Sequence, residues 1–360
     1  MAQHANDKRV TLQQVADDAG VSKSAASFAL TGRTDQRISQ VTIARVKAAA
    51  NKLGYHPNLA AKTLRTGTSD TVALVSDFVA TTSVANEMVA GVLNELRVHS
   101  KFLYTVDTEG RPKAEKHLIQ TLLDRQVDGV LYASMFTREI PVSAISDLSN
   151  ITGQMPLVLL NCLSSHPTKI SAVVPDEYNA GRMAADVLIK AGHGQRIGFM
   201  GQFPPEVTGG VQWHGWHPWA LEQRLLGIRD RLAESNFKLM KIYESDEWDV
   251  RSGRAVARKL LASKEDLPSA IICVNDSMAF GLMQILQLNG FSVPRDISLI
   301  SFDGSEWAKA CIPSLTTICL PQREMGRSAV RLMLSQKSGV TKHVPMPLSV
   351  GGTVARPSSR

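Results

Sequence analysis

Lys23, Ser24, Ser27 and Phe28 follow directly on a Gly20–Val21–Ser22 turn and together offer a cation, two hydroxyls and an aromatic face. Side chains of this kind read base-pair edges in a DNA major groove. Two short helices would have to hold them there. Leu12, Val15, Ala16 and Ala19 recur at i, i+3, i+4 and i+7, the mark of one helical face. Gly20 permits the tight turn, Val21 plugs it, and the Ser22 hydroxyl is placed to cap the next helix. Ala25, Ala26, Ala29 and Leu30 supply the buried face of that second helix, which leaves Lys23, Ser24, Ser27 and Phe28 turned outward. Ser39 is placed to cap a third helix with apolar positions at Ile43, Val46, Ala50 and Leu53, and Gly54 to stop it. Asn58 can cap a short helix through Leu64, and residues 65–69 read as a linker.

Charge follows the same division. Residues 1–69 hold ten Lys or Arg against four Asp or Glu, while the rest of the chain holds thirty against twenty-nine. Positive charge gathered on the segment with the two-helix pattern is what phosphate neutralisation requires.

The remaining chain reads as an α/β body. At 360 residues the protein is long enough for two or three units with a sizeable core. Short apolar runs at Val72–Val75, Phe102–Val106, Val130–Tyr132 and Leu157–Leu160 are expected to be fully buried strands. A second series follows at Ile197–Met200, Ile271–Val274 and Leu299–Phe302. Amphipathic stretches such as Met88, Val89, Val92, Leu93 and Leu96 separate the runs. This alternation predicts two doubly wound parallel-sheet lobes, with a ligand where the carboxyl ends of their strands face one another.

Function classes can be excluded on the same basis. Gly192–Gly198 (GHGQRIG) spaces its glycines, but it follows a helix and precedes a strand, the reverse of a dinucleotide loop. The sequence has no GxSxG, P-loop or HExxH, so an enzyme is not expected and no cofactor is called for. Cys162, Cys273, Cys311 and Cys319 form no CxxC pair and read as buried free thiols of a reducing compartment. The polar start lacks a signal-peptide core and no stretch reaches the length of a membrane span, so the expected location is cytoplasmic.

Three of the five Trp residues, Trp213, Trp216 and Trp219, fall within seven positions, interleaved with His214 and His217. Aromatic faces stack on sugar rings, so this loop is expected to lid or line a ligand pocket. The alternative is an apolar loop packed on its own lobe or on a neighbouring copy. Two His three apart without Cys or carboxylate neighbours make a poor metal site, and none is expected.

The run VTLQQVADDAGVSKSAASFALTGR (10–33), with GYHPNLAAKTLR (54–65), closely resembles the lactose-repressor (LacI) family of bacterial transcription regulators. DGV (128–130), AGHGQRIGFMG (191–201), NDSMAFG (275–281), VPRDISLISFDG (293–304) and PSLTTI (313–318) carry the resemblance through the body. It implies an N-terminal all-α helix-turn-helix domain (1–57), a hinge helix and linker (58–69), and an effector-binding and dimerisation domain (70–360). That domain would be periplasmic-binding-protein-like, with one lobe at about 70–174 plus 320–345 and the other at about 175–319 plus 346–360.

Function is implied as well: a homodimeric regulator, in the repressor sense, on double-stranded palindromic operator DNA, controlled allosterically by a small ligand between the lobes. Lys23 and Ser24 fall where the family reads bases. Phe28 replaces the usual Arg, which points to a contact with a thymine methyl. Ser22, Thr31, Arg37 and Ser39 match phosphate-holding positions. Ala61 and Leu64 match residues entering the minor groove from the segment that Asn58 opens. Arg224, Asn275 and Asp303, with Asn161 as a fourth, match effector contacts, and their polarity favours a sugar or polyol. Leu320 stands where the family has Gln, which removes one polar contact. The competing reading, a periplasmic-type ligand receptor without a DNA role, leaves the basic N-terminal segment unexplained.

Overall fold

The chain divides into two units, Met1–Ser69 and Asp70–Arg360. The computed structural model describes residues 10–31, 38–56, 63–64, 66–77, 84–109, 111–140, 155–202, 219–245, 247–263 and 266–358. Arg37, Asn58, Ala61, Trp213 and Trp216 lie outside the described residues.

In the first unit, Thr11 and Gln14 form a capping box that starts α1 (Leu12–Asp18). Gly20 takes φ +61°, and Ser22 Oγ accepts the Ala25 N–H at 3.1 Å to start α2 (Lys23–Thr31). Ser39 caps α3 (Gln40–Leu53), which Gly54 closes at φ +66°. Val15, Ala16, Ala19, Ala26, Ala29, Val46, Ala49 and Ala50 form the core. The small alanines let three short helices approach closely. Ala25 and Leu30, expected in this core, are only half-buried, because Ala26 and Ala29 already fill the contact.

The second unit holds two six-stranded sheets. The first, in the order β11-β5-β4-β3-β1-β2, is parallel throughout. Its strands are β1 (Thr71–Ser76), β2 (Phe102–Asp107), β3 (Gly129–Ile140), β4 (Leu157–Ser164), β5 (Ser171–Pro175) and β11 (Thr341–Val344). The second, in the order β12-β10-β9-β8-β6-β7, is parallel except for β12. It is built from β6 (Ile197–Gln202), β7 (Lys241–Glu244), β8 (Ala270–Cys273), β9 (Ser298–Asp303), β10 (Thr316–Cys319) and β12 (Leu348–Ser349). Separate apolar clusters cover the two faces of the first sheet, and one large cluster fills the second lobe. The two doubly wound lobes expected from the alternation are present.

One strand departs from expectation. Phe102–Val106 was expected to be fully buried, but β2 is the edge strand of its sheet, and Phe102 is 72% and Tyr104 45% exposed. Apolar content alone does not separate an edge strand from a central one.

The helices are α4 (Val84–Val98), α5 (Pro112–Asp124), α6 (Glu177–Lys190), α7 (Trp219–Ala233), α8 (Val250–Ala262), α9 (Asp276–Leu288), α10 (Glu306–Ala310) and α11 (Gln322–Leu334). Three pairs cross at reciprocal glycines. A methyl group on Gly181 of α6 would overlap the Arg224 carbonyl on α7, and one on Gly227 of α7 would overlap that of Tyr178 on α6. Gly91 and Gly326 do the same for α4 and α11, and Gly253 and Gly281 for α8 and α9.

Candidate nucleic-acid interface and ligand cleft

In the N-terminal unit, Ser22, Lys23 and Ser24 are exposed at the start of α2, and Ser27 and Phe28 are half-buried one turn on. Thr31 is the last residue of α2. Ser39 is exposed and its hydroxyl accepts from the Thr42 N–H at 3.2 Å. Leu64 is 80% exposed. The amino end of α2 therefore offers exposed hydrogen-bonding side chains, which suits an anion-lined groove.

In the body, Asn275 and Asp303 sit at the carboxyl ends of β8 and β9, Asn161 lies within β4, and Arg224 comes from helix α7. In each sheet a central strand marks the point where strand order reverses, β1 in the first and β6 in the second. Crevices at such points hold ligands.

On the first lobe, Asp77 follows β1 and is almost fully buried. Its carboxylate accepts from the Met135 N–H at 3.0 Å and the Ser134 hydroxyl at 3.0 Å, and Arg138 Nη2 lies 3.4 Å away. Asn161 takes φ +58°, donates to the Ser134 carbonyl at 2.9 Å and accepts from Thr137 at 2.6 Å. It is buried and already partnered on both sides of its amide. Beneath this cluster Glu115 accepts from the Tyr132 hydroxyl at 2.9 Å, and burial pushes the Glu115 carboxyl above its ordinary range.

On the second lobe, Arg224 comes from the buried face of α7. Its Nε donates to Glu177 Oε2 at 2.6 Å, Nη2 to Oε1 at 3.0 Å, and Nη1 to the Val274 carbonyl at 2.7 Å. The guanidinium also lies over the Phe302 ring, 4.5 Å from its centroid. Burial opposes the Arg224 charge, but Glu177, together with Asp303 and Asp276, more than offsets it and holds its pKa above the usual arginine value. Asp303 ends β9 with a side chain 28% exposed, 4.0 Å from Arg224 Nη2. Burial raises its pKa; Arg224 pulls it back and Asp276 and Glu177 push it further up, to about 7. Its φ of +107° is a strained position for a non-glycine residue, of the kind concentrated at ligand sites.

Asn275 caps α9 by accepting the Met278 N–H at 2.9 Å, and its amide donates to the Trp248 carbonyl at 2.8 Å. Trp248 in turn donates its indole N–H to the Gly201 carbonyl at 2.7 Å. Trp219 is the first residue of α7 rather than part of a loop, and its ring lies 6.5 Å from that of His343 on β11.

The structure thus brings Arg224 and Asp303 together, and links Asn275 to them through Val274 and the end of β8. Asn161 belongs to the other lobe's network. Sequence reasoning missed Glu177, Asp276, Asp77, Arg138 and Trp248. Asp276 is a fully buried hub that accepts from Ser301 at 2.5 Å, Thr317 at 2.7 Å and the Ser305 N–H at 2.7 Å. An acid at the first position of an apolar helix, facing Ser and Thr on two neighbouring strands, was the signal for it. Asp77, directly after an apolar strand, was a similar signal.

Among the described residues no cluster of His, Cys, Asp and Glu could hold a metal ion, and no helix is long and apolar enough to cross a membrane.

Residues 11–58 match the description of bacterial regulatory proteins of the lacI family, and residues 185–359 match a periplasmic binding protein-like domain. The chain is 30% identical over 339 residues to the HTH-type transcriptional regulator AscG of Escherichia coli (strain K12), covering 91% of this chain and 92% of that protein. It is 27% identical over 334 residues to the HTH-type transcriptional repressor PurR of Vibrio vulnificus (strain CMCP6), covering 91% of each. In fold it is similar to the lac repressor dimer bound to operator and the anti-inducer ONPF, with a TM-score of 0.78 at 23% identity over 97% of this chain and 100% of that one. The chain belongs to the lacI family of bacterial regulatory proteins: it is a DNA-binding transcriptional regulator with a ligand-binding body, and not an enzyme.

Proposed function

We propose that this regulator is a cytoplasmic repressor that binds a palindromic operator as a homodimer and is controlled by a sugar or polyol held between its two lobes. The observation that carries the effector reading is the partly exposed Asp303 carboxyl beside the Arg224 guanidinium, at the carboxyl end of β9. Adjacent hydroxyls of a polyol can donate to such a carboxylate and accept from such a guanidinium. Trp248 and Trp219 supply aromatic faces for stacking, and Asn275 and Asn161 frame the polar ends of the two lobes. The same reading makes Trp213 and Trp216, which fall between β6 and α7 in the sequence, part of the ligand's cover.

In the N-terminal unit, Lys23, Ser24, Ser27 and Phe28 take the base edges, and Ser22, Thr31, Arg37 and Ser39 the phosphates. Asn58, Ala61 and Leu64 serve the minor groove. The working division is 1–57 for DNA, 58–69 for the hinge and 70–360 for ligand and dimer. Exposed Phe102 and Tyr104 on edge strand β2 suit a dimer contact in the first lobe, as does the stacked Phe280–Trp307 pair in the second. The four cysteines are free thiols, in keeping with a reducing cytoplasm.

The test is fluorescence anisotropy on the DNA upstream of the protein's own operon, with a panel of sugars and polyols at two salt concentrations. Salt-sensitive binding to one palindromic site, shifted by a single sugar, is the expected result. The coupling should be about 1–3 kcal/mol, or roughly 5–150-fold in operator affinity. An operator affinity indifferent to every sugar and polyol would reject the effector class. Binding equal on random DNA would reject sequence reading.

A further inference from the structure

The acids around the cleft differ in what donates to them. Glu177 takes two N–H groups of Arg224. Asp276 takes the Ser301 and Thr317 hydroxyls and the Ser305 N–H. Asp77, on the first lobe, takes the Ser134 hydroxyl and the Met135 N–H, with Arg138 alongside. Asp303 is the exception. Among the described residues its side chain accepts no hydrogen bond, and its ion-pair contact is Arg224 Nη2 at 4.0 Å, a nitrogen that already donates to Glu177.

Charge is unbalanced at the same place. Facing Asp303 are Arg224 from α7, Glu177 from α6, Asp276 from α9 and the Cys319 thiol beside it on β10, which burial holds neutral. Three carboxylates therefore meet one guanidinium, and that guanidinium is closed on Glu177. Residues 78–83, 141–154 and 203–218, which follow β1, β3 and β6 in the sequence, contain no Lys or Arg, only His214 and His217. Ionised, Asp303 is a carboxylate with too little positive charge around it and one open side, 28% exposed. Such a group is costly unless a partner brings charge and donors together. A hydroxyl brings a donor without charge. An ammonium brings both, with three N–H groups.

We infer that the effector is an amino sugar or amino polyol whose ammonium seats on the Asp303 carboxylate. This rests on the reading of the cleft as the effector site and narrows its ligand class. The N–H groups that Arg224 keeps free of Glu177 and Val274 can then donate to a hydroxyl next to the amine. Because Asp303 titrates at about 7, the fraction ready for an ammonium grows as pH rises towards that value.

The test is calorimetry on the full-length protein. The probes are glucosamine, galactosamine and mannosamine, each beside its parent sugar and its N-acetyl derivative, and glucamine beside sorbitol. One amine should bind about tenfold more tightly than its neutral forms, the scale of a charge-assisted over a neutral hydrogen bond. Its affinity should also rise about tenfold from about pH 5.5 to about pH 7, following the ionised fraction of Asp303, while that of the neutral forms should not. Asp303→Asn keeps the shape and loses the charge, so it should bind the amine and its parent sugar alike. A parent sugar or polyol that binds as tightly as its amine overturns the inference and leaves the sugar reading of the cleft standing. If amines and neutral forms all fail to bind, the sugar reading falls and the inference with it. An amine preference that survives in Asp303→Asn overturns the inference alone, since the cation then sits elsewhere. The pH series needs no variant: an amine affinity that is flat or falls over that range overturns it as well.

Discussion

Arg224 and Glu177 form a closed pair, with Nε 2.6 Å from Oε2 and Nη2 3.0 Å from Oε1, both side chains buried. The residues lie on α7 and α6, whose backbones touch at Gly181 and Gly227. Close packing of the helices and ion pairing of the side chains therefore support each other. Glu177 and the Val274 carbonyl occupy three of its five donors, so Arg224 brings to the cleft its remaining N–H groups and a positive charge beside Asp303. Removing Glu177 would leave that guanidinium buried without its main partner. Glu177→Ala should cost about 3–5 kcal/mol of stability, the range for breaking one side of a buried pair. Urea unfolding checks this, and a loss under about 1 kcal/mol would contradict the pairing argument.

The raised pKa of Asp303 has a definite sign in stability. Its carboxyl titrates near 7 in the folded chain against 3.8 when unperturbed. Between those values the folded state holds a proton that the unfolded state has lost. Its contribution to stability is therefore full below about pH 4, falls as pH rises, and is gone once pH passes through about 7. The slope is at most about 1.4 kcal/mol per pH unit. Asp303→Asn cannot titrate, so it should gain stability relative to the parent from pH 5 to pH 7 and level off above. Parallel melting curves for the two proteins across that range would sink the assignment.

Much of this was legible in residue order. Ser22, Ser39, Gly20 and Gly54 act through short-range backbone geometry, and each takes the cap or turn that its type and position require. The two lobes follow from alternation of apolar runs, which is also local. What stayed hidden depends on distance along the chain. Glu177 finds Arg224 47 residues away, and Asp77 finds Met135 58 residues away. Neither pairing has a sequence signature, because it is the order of strands that brings the two together. Strand β2 was misread for the same reason: whether an apolar strand is central or at an edge is a property of the sheet.

The crossing at Gly227 makes a second prediction about α6 and α7. A methyl group there meets the Tyr178 carbonyl, which belongs to a rigid helix and cannot swing aside as a side-chain end would. Gly227→Ala should therefore destabilise the body by about 1–3 kcal/mol, the usual cost of overpacking. Ordinary helix propensity would instead favour Ala over Gly by about 1 kcal/mol. A thermal melt decides between them by sign: a higher Tm for Gly227→Ala would mean that the helices can separate without loss.

Leu64 gives the sharpest test of the DNA reading. It is 80% exposed and is not among the residues of the N-terminal core, so shortening it should leave the fold intact. An exposed Leu in this segment has a use if it enters a minor groove and wedges a base step. Unstacking costs a few kcal/mol, which is recovered only on a sequence that bends well and lets the rest of the protein dock. Nonspecific binding rests on phosphate contacts and needs no wedge. Leu64→Ala should therefore weaken operator binding by roughly tenfold or more, the scale of one lost base-pair contact. Affinity for random DNA, and its salt dependence, should hardly move. Anisotropy titrations on operator and scrambled duplexes at two salt concentrations separate the cases. Equal losses on both DNAs would take Leu64 out of the groove and make it an ordinary linker residue.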